Sequence, residues 1–239
     1  MSHTVHPYSH RLGIIRDWKS RWFALHGKFR ESLKADILVR QFLEKKLKTG
    51  YVGGIEMERG EKTLRIIVKT SRPGVIIGRS GEGSEKLRKE IQSFMRKNKL
   101  ALNEEIKLDI EEIKSPESNA AIIALMVAEA LEKRVPFRRV MKQTVEKVMA
   151  NRDVKGIRII TSGRLGGAEM ARKEEIKRGR VPLQTLRADI DYTRETAILP
   201  YGAIGVKVWV YRGDIFADRA VKSEEKGTAQ RERRPRTQA

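Results

Sequence analysis

From residue 31 to residue 113 the order of patterns constrains the fold more than any single residue does. Val39, Phe42, Leu43 and Leu47 fall on one face of a helix over Glu31–Lys48. Gly50, Gly53 and Gly54 read as its stop. Val52 to Glu58 alternates Ile55 and Met57 against Glu56 and Glu58, the signature of a half-buried strand. After an Arg59-Gly60-Glu61-Lys62 turn, Leu64–Lys69 reads as a second strand with an Ile66-Ile67-Val68 centre. Leu87, Ile91, Phe94 and Met95 mark an amphipathic helix over Glu82–Asn98. A third strand is expected at Glu105–Ile113, where Ile106, Leu108 and Ile110 alternate with Lys107, Asp109 and Glu111. The sequence of elements is helix, strand, strand, glycine loop, helix, strand.

The loop is the stretch Thr70 to Ser84, which contains Gly78-Arg79-Ser80-Gly81. Two glycines three apart let the backbone approach another backbone, and Arg79 adds positive charge at that point. KH modules clamp about four nucleotides with such a Gly-x-x-Gly loop. The spacing alone proves little, because chance predicts about 1.5 such pairs in a chain of this glycine content. Four occur: Gly50/Gly53, Gly78/Gly81, Gly163/Gly166 and Gly202/Gly205. Gly50/Gly53 reads as a helix stop, and Gly202/Gly205 opens a strand with no basic residue inside it. Gly163/Gly166 holds Arg164 and stays a candidate backbone clamp. Only Gly78/Gly81 has a strand before it, a helix after it and a cation within it, with Gly83 adding flexibility. A nucleotide-hydrolysing loop needs Gly-x-x-x-x-Gly-Lys-Ser/Thr. From Gly78 that spacing reaches Gly83, but Ser84 and Glu85 follow, so the phosphate-binding lysine is missing.

Ser115-Pro116 breaks the chain and opens a second set of patterns. Ser118–Arg134 is a helix apolar nearly all round, expected to be buried, and Pro136 stops it. Phe137–Asn151 is two-faced: Phe137, Val140, Met141, Val145, Val148 and Met149 form the core stripe, while Arg138, Arg139 and Lys142 sit together near its start. A cation cluster on a helix is usually a solvated face. Here the nearest acid in sequence on that face is Glu146, so the three are expected to be unpaired at the positive end of the helix dipole, where an anion would relieve them. Gly156–Thr161 reads as a strand, Ala168–Arg172 as a short helix and Arg172–Arg180 as a charged, extended stretch. Leu186–Tyr192 and Ile204–Tyr211 alternate as strands. Two helices and then several strands predict a sheet with helices on one face. Asp189 and Asp191 share a strand face, and a pair of carboxylates can hold magnesium for phosphodiester cleavage. Arg187 on the same face and ordinary polar alternation speak against a metal-dependent nuclease.

Charge narrows the partners. The 239 residues carry 51 Lys+Arg against 31 Asp+Glu, a net +20, which favours nucleic acid or an anionic membrane surface. No apolar run approaches the roughly 18–20 residues of a spanning helix, and Met1–His10 lacks a signal-peptide core. Without cysteine there are no disulfides or thiolate zinc sites and no Cys nucleophile, which is compatible with a reducing cytosol. His3, His6 and His10 lack accompanying Asp or Glu at ligand spacing, so no metal is expected. Residues 1–30 read as an extension in which Arg11, Arg16, Lys19 and Arg21 lie on phosphate while Trp18, Trp22 and Phe23 anchor it to a neighbour. The 222–239 segment holds six Lys/Arg against three Glu and few apolar residues, so 215–239 reads as a disordered basic tail.

Several blocks in order resemble the bacterial-type ribosomal protein S-three family of the small subunit. They are Val5-His-Pro, Arg11-Leu-Gly-Ile14, Arg72-Pro-Gly-Val-Ile-Ile-Gly78, Phe137-Arg-Arg139, Ser162-Gly-Arg-Leu-Gly-Gly-Ala-Glu169, Arg180-Val-Pro182, Leu186-Arg-Ala-Asp-Ile-Asp-Tyr192 and Gly205-Val-Lys-Val-Trp209. The resemblance runs almost end to end. It implies an α+β chain: a type II KH domain (α-β-β-α-β) over 31–114, then an α+β domain over 115–214 with two helices on a mostly antiparallel sheet. It also implies a non-enzymatic, cofactor-free protein of the cytoplasmic ribosome, bound to ribosomal RNA in the small-subunit head beside S-ten and S-fourteen. The family lines the channel by which messenger RNA enters and helps unwind it; the residues concerned fall here on Arg138, Arg139 and Lys142. With Gly78, Arg79, Ser80, Gly81 and Arg164, these make up the expected RNA-binding set. Lys97–Asn103 departs from the family by being longer and more basic, and the tail is idiosyncratic.

Overall fold

The computed structural model describes residues 5–60, 63–98, 100 and 105–216. The departure at Lys97–Asn103, the Glu61-Lys62 half of the predicted turn, His3 and nearly all of the basic tail lie outside most or all of that description.

Two four-stranded sheets, each backed by two long helices, organise the chain. In the first, α1 (Pro7–His10) and β1 (Ser20–Arg21) lead into α2 (His26–Lys46). Then come β2 (Val52–Arg59), β3 (Thr63–Thr70), α3 (Pro73–Ile77), α4 (Glu82–Lys97) and β4 (Glu105–Glu112). The sheet order is β1-β2-β3-β4, with β2 and β3 antiparallel and β3 and β4 parallel. Ala35, Val39 and Leu43 recur every fourth residue on α2, as Leu87, Ile91 and Met95 do on α4. Both stripes close over Ile55, Met57, Leu64, Ile66, Val68 and Ile106 of the strands. Phe42 and Phe94 stack between the helices at 4.7 Å. The opposite sheet face is a lattice of ion pairs in which Glu56 and Glu58 meet Arg21, Lys69 and Arg65, and Arg65 also meets Asp109. Much of this unit's charge is therefore spent internally.

Gly53 belongs to β2, not to a helix stop. It sits at an irregularity of the β2–β3 ladder. A Cβ there would stand 2.4 Å from Ile113 Cδ1 and 2.8 Å from Asn119 Nδ2, so the residue lets the connection to the second unit pass against the strand.

The second unit has α5 (Ala120–Glu132), α6 (Phe137–Met149), β5 (Gly156–Gly163), β6 (Arg172–Gly179), β7 (Ala188–Leu199) and β8 (Gly202–Asp214). Asn119 caps α5 by accepting from the Ala121 N–H at 2.9 Å. The sheet order is β6-β5-β8-β7, antiparallel throughout. Ile123, Val127 and Leu131 of α5 and Val140, Met141, Val145 and Val148 of α6 pack on Ile157, Ile159, Val206, Val208 and Val210. The short helix expected at Ala168–Arg172 does not form. A 3-10 turn at Leu165–Gly167, with Gly166 and Gly167 at positive φ (+71° and +81°), leads instead into an irregular link to β6. Between the units, the Tyr51 hydroxyl donates to Glu129 and Lys48 faces Glu132 at 3.5 Å.

Candidate nucleic-acid surfaces

The glycine loop is a rigid corner. Pro73 starts α3, and Gly78 ends it at φ +70°, its N–H donating to the Gly74 carbonyl at 3.0 Å. Arg79–Gly81 form one 3-10 turn, and Gly81 at φ +85° is the residue before α4. Ser84 Oγ donates to the Gly81 carbonyl at 2.7 Å. Gly83, which from sequence was read as flexibility, has another role. A Cβ on it would lie 2.6 Å from the Ile76 carbonyl oxygen and 2.8 Å from that of Ile77, so it is the contact that folds α4 back onto α3. Arg79 is exposed and makes no ion pair with any described residue. It stands beside the positive end of α4, although Glu82 and Glu85 occupy that helix's first turn.

On α6, Arg138, Arg139 and Lys142 are all exposed, but they are not a trio of unpaired cations. Arg138 Nε and Nη2 donate to Glu174 of β6 at 3.3 and 3.1 Å. Sequence hid this acid because it lies 36 residues away and reaches α6 only through the sheet edge. The Arg138 hydrogen bond holds the Glu174 carboxyl below its ordinary pKa range, with Arg172 contributing less. The Arg138 and Arg172 guanidiniums lie 5.7 and 5.6 Å from the Phe137 ring centre. Arg139 and Lys142 make no ion pair with any described residue.

Arg164 spends much of its guanidinium on its own chain. Nε donates to the Ala168 carbonyl at 2.9 Å and Nη1 to the Tyr201 carbonyl at 3.2 Å, tying the Gly163–Gly167 loop to the β7–β8 hairpin. Its exposed position leaves the outer edge open. The glycine corner, the α6 start and the Arg164 loop thus lie on separate elements.

Three readings of the N-terminal segment are corrected. Arg11 does not lie on phosphate: it is 0% exposed and fans into backbone carbonyls of Ala188 (2.6 Å), Pro7 (3.0 Å), Leu183 (3.0 Å) and Thr185 (2.9 Å). Arg16 pairs with Asp189 at 2.5 Å, and Arg21 with Glu56 and Glu58 at 3.0 and 2.7 Å. Trp22 Nε1 donates to Asp36 at 2.7 Å, so this ring is held inside the chain, whereas Trp18 and Phe23 are 61% and 87% exposed. Trp209 and Tyr211 are 5% and 7% exposed, covered by Val181, Leu183 and Tyr192.

Asp189 and Asp191 are structural. Arg16 takes Asp189, while Asp191 accepts from the Ala120 N–H at 2.9 Å and from Arg212 at 3.2 Å. Each carboxylate is already neutralised by an arginine, which removes the charge that would draw magnesium. Among the described residues no group of three His, Cys, Asp or Glu side chains is placed to hold a metal. No described helix is long and apolar enough to cross a membrane.

A family model described as KH domain matches residues 38–118, and one described as Ribosomal protein S3, C-terminal domain, matches residues 127–210. The chain is 48% identical over 227 residues to small ribosomal subunit protein uS3 of Caldicellulosiruptor bescii, covering 95% of this chain and 99% of that one. It is 45% identical over 235 residues to the uS3 of Cupriavidus metallidurans (98% and 86% covered) and 43% identical over 225 residues to that of Clostridium novyi (94% and 99% covered). A KH unit carrying the glycine corner, joined to this antiparallel second unit and matched along nearly its whole length, belongs to the small ribosomal subunit protein uS3 family.

Proposed function

We propose that the chain is a non-enzymatic constituent of the small ribosomal subunit in the cytoplasm, bound to ribosomal RNA, with its second unit lining the channel by which messenger RNA enters. The observation that carries the channel role is the start of α6. Arg139 and Lys142 are exposed cations without an ion pair among the described residues, beside the fixed Arg138–Glu174–Arg172 group. Exposed, unpaired cations on a helix bind a phosphate backbone without reading its sequence, and a paired arginine fixes the local geometry. Arg79 in the glycine corner is assigned to ribosomal RNA, with Gly78 and Gly81 setting the backbone and Ser80 within the turn. Arg164 is assigned the same partner through its outer edge. The exposed Trp18, Phe23, Phe29, Leu33 and Ile37 form the surface for neighbouring head proteins, S-ten and S-fourteen by resemblance.

Reconstituted translation of messengers with and without a downstream hairpin tests the reading. Arg139→Ala with Lys142→Ala is expected to slow the hairpin messenger selectively, and Arg138→Ala alone to do less, because Glu174 already holds much of its charge. Equal rates on both messengers would overturn the unwinding role.

A further inference from the structure

The face of the second sheet turned away from α5 and α6 carries chemistry that the sites above do not use. Strand register sets Lys177, Arg158, Trp209 and Tyr192 side by side across the four strands, and the next row places Lys207 beside Ile160. Val181 and Leu183 cover one part of this face. Another part opens as a cavity of about 340 Å³ lined by His6, Arg158, Lys173, Tyr192, Lys207 and Trp209. The rings form one connected set: His6 meets Tyr192 edge-on at 4.8 Å, and Tyr192 meets Trp209 at 4.9 Å. Arg158 lies 5.1 Å from the Trp209 ring centre, and Glu175 takes its charge at 2.7 Å. Lys173 and Lys207 make no ion pair with any described residue. The Trp209 indole N–H is buried without an acceptor among the described residues.

Two unpaired ammonium groups beside a wall of aromatic rings suit a ligand that joins a phosphate to a flat base. The volume stands at the lower end of small-ligand sites, the size class of a single nucleotide. Antiparallel sheets that present rings and cations on an open face read unpaired nucleotides in this way. An acidic peptide would use the lysines but leave the rings idle. We propose that this cavity takes one unpaired, phosphate-bearing nucleotide, with its phosphate on Lys173 and Lys207 and its base against His6 and Tyr192, behind which the buried Trp209 packs. The proposal rests on the RNA-binding reading and assigns it a further site, distinct from the glycine corner and the α6 start.

The test uses the full chain carrying Arg79→Ala, Arg139→Ala and Lys142→Ala, so that the glycine corner and the α6 start are weakened and the comparison is between this background with and without the further changes. A short fluorescein-labelled uridine oligomer is titrated by anisotropy across a salt series. Adding Lys173→Ala and Lys207→Ala is expected to weaken binding and flatten the log–log salt slope by about 1.4, two single-strand phosphate contacts. Ultraviolet cross-linking of the oligomer is expected on peptides from Ala188–Leu199 or Gly202–Asp214. Competition by free uridine monophosphate supports a site for the nucleotide itself; binding of the oligomer without that competition supports a strand-borne nucleotide. An unchanged slope with no cross-link on those peptides overturns the site, as does polyglutamate binding through the two lysines where the oligomer does not bind. If the parent chain, with no substitutions, binds no RNA, the wider RNA-binding reading falls with it.

Discussion

Replacing Arg11 tests how the N-terminal segment is held to the second sheet. Its guanidinium is fully buried, and no acid accepts from it: Nε goes to Ala188, Nη1 to Pro7 and Nη2 to Leu183 and Thr185, with Pro182 more distant at 3.4 Å. Burial lowers its pKa, with Asp189 opposing the shift. An arginine nevertheless keeps its charge at any pH the protein meets. Arg11→Met keeps the length of the stem but strands four well-made carbonyl acceptors, each costing about 1–3 kcal/mol when buried and unpaired. Relief of the guanidinium's own desolvation, several kcal/mol, offsets part of that. The net loss is about 3–5 kcal/mol, in the range for removing one partner of a buried charged network. That corresponds to a fall of roughly 6–20 °C in the melting midpoint for a chain of this size. Arg11→Lys is expected to fall nearly as far, because one ammonium cannot reach carbonyls spread over Pro7, residues 183–185 and Ala188. Urea unfolding followed by tryptophan emission and by circular dichroism reads both effects. A loss under about 1 kcal/mol for Arg11→Met would refute the reasoning, because it would mean that water satisfies those carbonyls as well as the arginine does.

Gly83→Ala forces a methyl group to within 2.6 Å of the Ile76 carbonyl oxygen, so about 1–3 kcal/mol is expected to be lost in urea unfolding, and the corner should loosen. Arg79→Glu should weaken single-stranded RNA binding and flatten its salt slope by about 0.7, read by anisotropy, while leaving the unfolding midpoint unchanged. Burial pushes the Glu195 carboxyl up, with Glu44 adding to the shift and Lys48 opposing it. A carboxyl raised in the fold loses stability as pH rises through the window above its usual value. Glu195→Gln should therefore unfold at higher urea than the parent at pH 7.5, with the advantage shrinking toward pH 5.

What sequence revealed, and what it hid, follows from the range of each interaction. Helix and strand stripes such as Leu87–Ile91–Met95 and Val206–Val208–Val210 repeat with a local period, so both helix pairs and most strands were legible along the chain. The start of α6 after Pro136 is local in the same sense. Ala168–Arg172 is too short for residue periodicity to decide between a helix and the irregular link into β6 that it forms. Charges were the least legible. Arg138–Glu174, Arg16–Asp189 and Arg11 with the carbonyls of Leu183, Thr185 and Ala188 join residues from 36 to 177 positions apart, and no local pattern carries such pairings. Cations that look unpaired in the sequence therefore overstated the free charge: of the three on α6, Arg138 is paired with Glu174, and Arg139 and Lys142 make no ion pair with any described residue.

Sedimentation is the most direct test of the central claim. A tagged copy of the full chain, expressed in bacteria whose own uS3 is depleted, should migrate in a sucrose gradient with the small subunit and with messenger-bound ribosomes. A chain found only at the top of the gradient, free of ribosomal RNA, would contradict the account.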